Sequence, residues 1–363
     1  MNRKRRLMVM VPFIIAAALL ASSAWAVPHW ARQYDVSCTM CHLTVPKLNT
    51  TGLGFQANGF RFDGLDIVDE ETIDFSLLLQ GRYTDRDSAG WNDTYLREVE
   101  IIGAAPINKR GGYYFAEWLP FNNSRRGDGS TRVRNGRFED LYFRTPICLD
   151  DNLSLTAGQF RAGSQVDVSH RLSISTPLAF DAKVGAFSYA SRSPSLSFSY
   201  FDGDSGGSPI RGWTHNVVIP FRGELAFNDD FELGSRPEGV FMESYRRSGL
   251  KSYGCYSFIG EGQTLFGGVA QNNCGQKSFQ TLNVGWSTGD DALRLSFEEE
   301  YMFSEHFALG ARYDHHGGAT DRDAGIFYAN FDTPTADWTK RFRAEYRHET
   351  GNKQFMVQAE GLF

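Results

Sequence analysis

The pentapeptide Cys38-Thr39-Met40-Cys41-His42 carries the most specific chemistry in the chain. Two thiols separated by two residues match the two vinyl groups on one side of a porphyrin, and the residue after the second thiol is then held under the iron. On this reading Cys38 and Cys41 attach one haem c covalently, and the imidazole of His42 is the proximal axial ligand of the haem iron. Three other readings compete for the same residues: a structural disulfide, a thioredoxin-type redox pair and a chance match. The second wants a strand before the pair and a long helix after it, a pattern missing around residue 38. The pentapeptide occurs once, so the haem reading implies a single haem.

The far side of the iron has several candidate ligands. Met40 lies between the anchoring thiols and is sterically poor for that position. His29 is the other His or Met of the segment, close to the start of the mature chain. Further along, Met302, His306 and Met356 fall on the inward parity of alternating strands. A water-bound or open sixth position is the remaining alternative. Methionine would raise the reduction potential and a second histidine would lower it, so the ligand bears on which donors can reduce the haem.

The elements that must position this chemistry begin with an address label. Arg3, Lys4, Arg5 and Arg6 precede an apolar run from Leu7 to Ala21, followed by Ala24-Trp25-Ala26 as a small-residue cleavage site. The run is shorter than the ~20 residues a spanning helix needs, so residues 1–26 read as a cleaved signal peptide rather than an anchor. Cleavage places the mature chain, from Val27, outside the cytoplasm, where bacteria attach haem to such motifs. The stretch from Val27 to Gly64 falls far short of the ~80 residues a compact cytochrome needs to bury its haem. Another part of the chain must enclose it.

That part is the remainder, whose dominant period is two. Phe355, Val357, Ala359, Gly361 and Phe363 alternate with Gln354, Met356, Gln358, Glu360 and Leu362. Phe342, Ala344 and Tyr346 alternate with Arg341, Arg343, Glu345 and Arg347. Leu293, Leu295, Phe297, Tyr301 and Phe303 alternate with Arg294, Ser296, Glu298, Glu300 and Met302, Glu299 being the one violation. A soluble β-sandwich alternates too. The rows of charge, the aromatics near strand ends and the terminal Phe363 favour a membrane barrel with a wet lumen. Length allows about 16 antiparallel strands, a size that leaves an open lumen. The expected organisation is a signal peptide (1–26), a monohaem plug (27–66) and an outer-membrane β-barrel (67–363), with the plug nested in the lumen because only a short acidic stretch joins them.

Composition agrees. Aromatic content of 14% with 37 glycines excludes a disordered chain, and mean hydropathy of −0.37 excludes a helical membrane bundle but not a barrel. The formal charge of −6 becomes −10 when the four basic residues of the signal leave, which gives no support for nucleic-acid binding and suits a cationic partner.

Trp30-Ala31-Arg32-Gln33, then the haem pentapeptide, then Pro46-x-Leu48-Asn49-x-x-Gly52-x-x-Phe55-x-x-x-Gly59-Phe60 resembles the fused monohaem cytochrome–porins of the outer membrane, best known as iron oxidases. The motif covers about 30 residues, and the barrel matches that family by architecture alone. The resemblance implies an electron conduit between an extracellular donor such as Fe(II) and a periplasmic c-type cytochrome, in contact with outer-membrane lipid. Electron export to external metals uses the same parts, and a passive diffusion porin with a structural haem plug is the alternative of a different class. Physically, Gly52, Gly54 and Gly59 permit turns or close approach to the porphyrin, Leu48, Phe55 and Phe60 offer apolar cover, and Arg32 can pair with a propionate or lie at the surface.

Two smaller features remain. Cys255 and Cys274 can form a disulfide outside the cytoplasm or stay as thiols, leaving Cys148 unpaired. His315, His316, Asp321 and Asp323 fall at an extracellular loop, read either as a solvated loop or as a weak surface iron site.

Overall fold

The computed structural model describes residues 29–44, 47–49, 51–52, 55, 60–62, 75–86, 90–107, 112–125, 130–147, 153–161, 174, 192–202, 213–224, 232–237, 239–246, 250–257, 264–272, 277–287, 292–318, 321–334 and 339–362. The signal peptide, the junction at 63–74, Cys148, Cys274 and Phe363 lie outside the described residues. The amino-terminal segment has one short helix, α1 (His29–Tyr34), a single 3₁₀ turn (Cys38–Met40) and a small hairpin of β1 (His42–Thr44) and β2 (Lys47–Leu48).

Everything after it is strand. The ascending and descending series runs β3 (Phe75–Arg86), β4 (Trp91–Pro106), β5 (Tyr113–Arg125), β6 (Thr131–Val133), β7 (Arg137–Pro146), β8 (Leu153–Arg161) and β9 (Arg192–Asp202). It continues with β10 (Trp213–Glu224), β11 (Glu232–Pro237), β12 (Gly239–Arg246), β13 (Leu250–Ser257), β14 (Thr264–Asn272) and β15 (Ser278–Ser287). It ends with β16 (Ala292–Met302), β17 (Phe307–His316), β18 (Arg322–Pro334), β19 (Thr339–Glu349) and β20 (Asn352–Leu362). Each strand pairs antiparallel with its neighbours, and β20 closes the ring on β3 in the register Leu362↔Leu78. Because β5 also pairs directly with β7, and β10 with β12, the short β6 and β11 are side flaps, leaving sixteen strands that pair around the circumference among the described residues. Closure leaves no open edge, which is what allows strands to cross a bilayer.

Burial is inverted relative to a soluble protein. Phe297, Tyr301, Leu309, Tyr313, Phe331, Tyr346 and Phe355 are exposed, and Phe327 reaches 64%. Their alternating neighbours Glu298, Glu300, Arg312, Asp314, Arg341, Glu345 and Glu360 are buried. Apolar side chains outward and charges inward is the pattern of a barrel whose outer face meets lipid, and the reverse of a β-sandwich. The one violation is accommodated: Glu299 faces outward and accepts a hydrogen bond from Gln280 Nε2 of β15 at 3.1 Å, in direct cross-strand register.

The ring has two distinct ends. The start of β3 and the finish of β20 share one end, and the amino-terminal segment docks there. The longest connection, 162–191 between β8 and β9, leaves from the opposite end. Its one described residue, Ile174, donates its backbone N–H to Glu345 Oε2 at 2.6 Å, so this connection reaches the inner wall of β19.

Candidate functional site: the cysteine turn and the lumen wall

Helix α1 is too short to be stable alone and owes its place to tertiary contacts. His29 is fully buried; its backbone N–H donates to Ser76 Oγ at 2.9 Å, and its Nε2 lies 3.0 Å from the Ala104 carbonyl. A carbonyl only accepts, so Nε2 carries the proton, which leaves Nδ1 facing Ser76 Oγ at 3.4 Å. Trp30 Nε1 donates to the same Ala104 carbonyl, and Arg32 donates to the Phe75 carbonyl at 2.9 Å. Asp35 ends the helix at φ 50, with Val36 N–H returning to the Ala31 carbonyl, and turns the chain toward the cysteines.

The thiols then sit on a 3₁₀ turn, closed by the Met40 N–H to the Ser37 carbonyl at 3.0 Å and the Cys41 N–H to the Cys38 carbonyl at 3.2 Å. Residues i and i+3 eclipse in such a turn, so Cys38 and Cys41 project from one edge. That is the arrangement two vinyl groups on one side of a porphyrin require. Both cysteines are free thiols, and burial, followed by the neighbouring Cys38, pushes the Cys41 thiol up to about 12. A thioredoxin-type pair works through a depressed thiol pKa, the opposite direction.

Asn49 fixes this turn. Its backbone N–H donates to the Cys41 carbonyl at 2.8 Å, and its Nδ2 to the carbonyls of Thr39 at 3.2 Å and Met40 at 3.0 Å. Its Oδ1 accepts from the Gly52 N–H at 3.0 Å. Three consecutive carbonyls of the pentapeptide are therefore tied to one residue. A Cβ on Gly52 would overlap the Cys41 carbonyl oxygen and the Leu48 side chain, so the glycine serves close approach to the cysteine turn. Asn49 belongs to the family-like motif with the Asn-x-x-Gly spacing, and this clamp is the role that spacing did not reveal.

The segment shares a core with the barrel. Tyr34, Phe55 and Phe60 form one buried cluster with Ala104 of β4 and Tyr113 of β5, and Trp30, Val36, Phe115 and Tyr142 pack against it. Phe55 and Phe60, expected as apolar cover for a porphyrin, pack in this cluster with barrel aromatics that sequence alone did not single out. Cys38, Cys41 and His42 come together on one turn, and the donor set fits a covalently attached haem. Arg32 is half-buried, and its donation to the Phe75 carbonyl ties the segment to β3.

The second-ligand candidates separate. His29 has both ring nitrogens engaged on the barrel wall. Met302 is buried beside Ala308, Ala324, Ile326 and Tyr328, and Met356 is buried on β20, level with Thr84. The parity expected for His306 is corrected: it stands exposed on the turn between β16 and β17, outside the alternating register. The proposed loop site is corrected as well. His315 and His316 end strand β17 and face opposite sides: His315 pairs outward with Asp323 at 2.9 Å, whereas His316 is buried inward. Alternation prevents the two imidazoles from sharing an ion.

The lumen wall of β16–β20, which closes on β3, is charged. Arg312 pairs with Asp314 at 3.0 Å and lies 3.9 Å from Glu298. The Tyr328 hydroxyl lies within hydrogen-bond distance of Glu298 (2.9 Å) and Glu300 (2.7 Å), its ring occupying the space that a Cβ on Gly310 would fill. Arg341 pairs with Glu360 at 2.8 Å and lies 3.6 Å from Asp332. Beside the aromatic cluster, on β4 and β7, the carboxylates of Glu98, Glu100 and Glu139 converge within 4.8 Å, with Asn122 donating to Glu98 at 2.6 Å. Oxygen donors of this kind suit hard divalent cations.

Neither a protein-family model nor a curated protein matches the sequence. Among solved structures, the chain is similar to OmpF of Salmonella typhi in complex with daunomycin, with 13% identity and a TM-score of 0.53 over 80% of this chain and 97% of that one. It is also similar to a loop-deletion variant of OmpT from Vibrio cholerae, an outer-membrane protein, with 12% identity and a TM-score of 0.50 over 80% and 99%. In vitro folded OmpT of the same organism gives 11% identity and a TM-score of 0.50 over 82% and 99%. The fold is that of outer-membrane barrels.

Proposed function

We propose that the protein is an outer-membrane electron conduit in which a single haem c, attached through Cys38 and Cys41 with His42 as proximal ligand, moves electrons between an extracellular donor, ferrous iron first among the candidates, and a periplasmic c-type cytochrome. The observation that carries this reading is the cysteine turn: two same-edge thiols, clamped by Asn49 and docked on the inner wall of a closed barrel. When bound, the haem supplies a one-electron couple. The chain's own residues do the rest. Asn49 holds the turn, Phe55 and Phe60 exclude water, and His29, Trp30 and Arg32 fasten the segment at the end where the chain enters, which is the periplasmic end of such barrels. The formal mature charge of −10 attracts a cationic donor more than an anionic one.

A second reading, a diffusion porin whose segment is structural, draws support from the fold it shares with porins. Proteoliposomes separate the two. With haem-loaded protein, external Fe(II) reduces the haem and an enclosed acceptor then reoxidises it. Leakage of small solutes with no turnover of the haem would instead favour the porin.

A further inference from the structure

Three guanidinium groups gather around one carboxylate at the end of the barrel away from the docked segment. Arg347 of β19 donates to Glu349 Oε2 at 3.0 Å, and Arg322, the first residue of β18, lies 3.8 Å from Glu349 Oε1. Arg86, the last residue of β3, stands beside them. Gln354 of β20 is the register partner of both Arg347 and Arg86, and Arg347 and Glu349 are the charged groups that act on Arg86. Arg86 Nη2 reaches Gln354 Oε1 at 3.4 Å, whereas its Nε is a buried N–H that makes no hydrogen bond among the described residues.

Parity puts these groups inside the ring. Arg86 shares its face with Thr84, Arg347 with Glu345, and Arg322 with Ala324, all three of them buried. The lip of the barrel is also low at this place. Strand β19 turns into β20 through 350–351, with Gly351 at φ 75, β3 into β4 through 87–90, and β17 into β18 through 317–321. The longest connection, 162–191, leaves from β8 instead. Arg322 keeps 35% of its side chain exposed and Glu349 16%, so a solute entering this mouth meets them.

The charges of this group do not balance. Three guanidiniums against one carboxylate leave an excess of two positive charges among the four side chains. Glu349 engages Arg347 closely and Arg322 at longer range, and a buried N–H such as Arg86 Nε is costly without an acceptor. A guanidinium presents its donors in a fixed fork that matches the oxygens of carboxylate and phosphate. The excess is opposite in sign to the formal charge of the whole chain, so it marks one place on the lip. We infer that Arg86, Arg322 and Arg347 form a binding site for a small, doubly charged oxyanion, a phosphate or a dicarboxylate, at the lumenal lip of this mouth. Because the three side chains face the lumen, the occupant is a dissolved anion and not a lipid headgroup. The inference stands whether or not the conduit reading holds.

The test titrates inorganic phosphate and, separately, succinate into the full mature protein, purified folded from outer membranes in non-ionic detergent at low salt, by isothermal calorimetry. A single saturable site per chain is expected. Arg86→Gln and Arg347→Gln each weaken it by roughly tenfold or more, the loss of one charge-assisted hydrogen bond. Glu349→Gln, which removes the resident competitor for the same donors, tightens it. Lys353→Gln, at an exposed position of β20, leaves it unchanged. Heat-modifiable migration on gels reads closure of each barrel, and Arg322→Gln replaces an arginine variant that fails to fold. Saturation by either anion in the parental protein, lost in the folded arginine variants, supports the site and tells phosphate from carboxylate. Absence of saturable binding in the parental protein overturns it, as does parental affinity in the folded arginine variants. A Glu349→Gln variant that binds as weakly as the arginine variants would make the cluster structural and overturns it as well.

Discussion

The two walls of the lumen solve the problem of an inward-facing surface in opposite ways. The wall of β3, β4, β5 and β7 turns Ala104, Tyr113, Phe115 and Tyr142 inward and buries them under Tyr34, Phe55 and Phe60 of the amino-terminal segment. The wall of β16–β20 turns Glu298, Arg312, Asp314, Arg341 and Glu360 inward and satisfies them with one another. The first is a docking surface for another piece of the same chain. The second pairs many of its charges with one another and takes a further donor, the Ile174 N–H, at Glu345. Among the described residues, the segment packs against one side of the barrel.

The largest expected effect breaks the docking wall. Phe60→Ala empties the middle of the shared cluster and costs about 3–5 kcal/mol, the range for deleting a buried phenyl ring. Limited proteolysis then clips the amino-terminal segment while the heat-modifiable barrel survives on gels. Uniform protection of the segment would show that the aromatic wall does not hold it.

On the charged wall, Arg312→Met leaves Asp314 and Glu298 without their shared cation and destabilises the barrel by about 3 kcal/mol, as for one-sided removal of a buried pair. The segment stays docked, because Arg312 lies on β17 and the segment is held by β3, β4, β5 and β7. Thermal unfolding and the same proteolysis assay read both halves of that expectation. Release of the segment by this substitution would erase the distinction between the walls.

A smaller effect is expected at the turn. Asn49→Ala removes the Nδ2 donor from the Thr39 and Met40 carbonyls and the acceptor for the Gly52 N–H, at about 1–3 kcal/mol for buried partners left unmade. Haem yield measured by pyridine haemochrome falls while barrel folding is unchanged. Smaller still is the consequence of His29→Phe. With both ring nitrogens engaged on Ser76 and Ala104, the histidine contributes docking, so the haem absorption spectrum stays as in the parent; a change of spin state would make it the sixth ligand.

The Cys41 thiol offers a pH test of the turn. Its folded pKa, about 12, lies above the ordinary 9.0, so the fold favours the protonated form. Stability from this group is complete below pH 9 and declines as pH rises toward 12. In haem-free protein, Cys41 alkylation is slow at pH 8 and accelerates with base, whereas a redox-pair thiolate would react fully at neutral pH.

The barrel was legible in the sequence because a period of two leaves a record on every strand. Phe355 against Met356 and Tyr346 against Arg343 were assignable to faces before any contact was known. Alternation counts residues but not bulges, and it fails at turns, which is why His306 was placed inward when it stands exposed between β16 and β17. It also hid the cost of adjacency: His315 and His316 read as a pair in sequence and end on opposite faces in the strand. The cysteine turn was legible from spacing alone. Its supports were not, because Asn49 acts through three carbonyls, which carry no sequence identity, and because Tyr113, Phe115 and Tyr142 look like any inward aromatics until the segment that covers them is in place.

The central claim is that the cysteine turn on the docking wall carries a haem. Pyridine haemochrome analysis of protein matured with the haem-attachment machinery and isolated from outer membranes tests it most directly. A c-type spectrum at one haem per chain, lost in Cys38→Ala/Cys41→Ala while the barrel still folds, is the result expected. A folded barrel from the same cells with no c-type spectrum would contradict it.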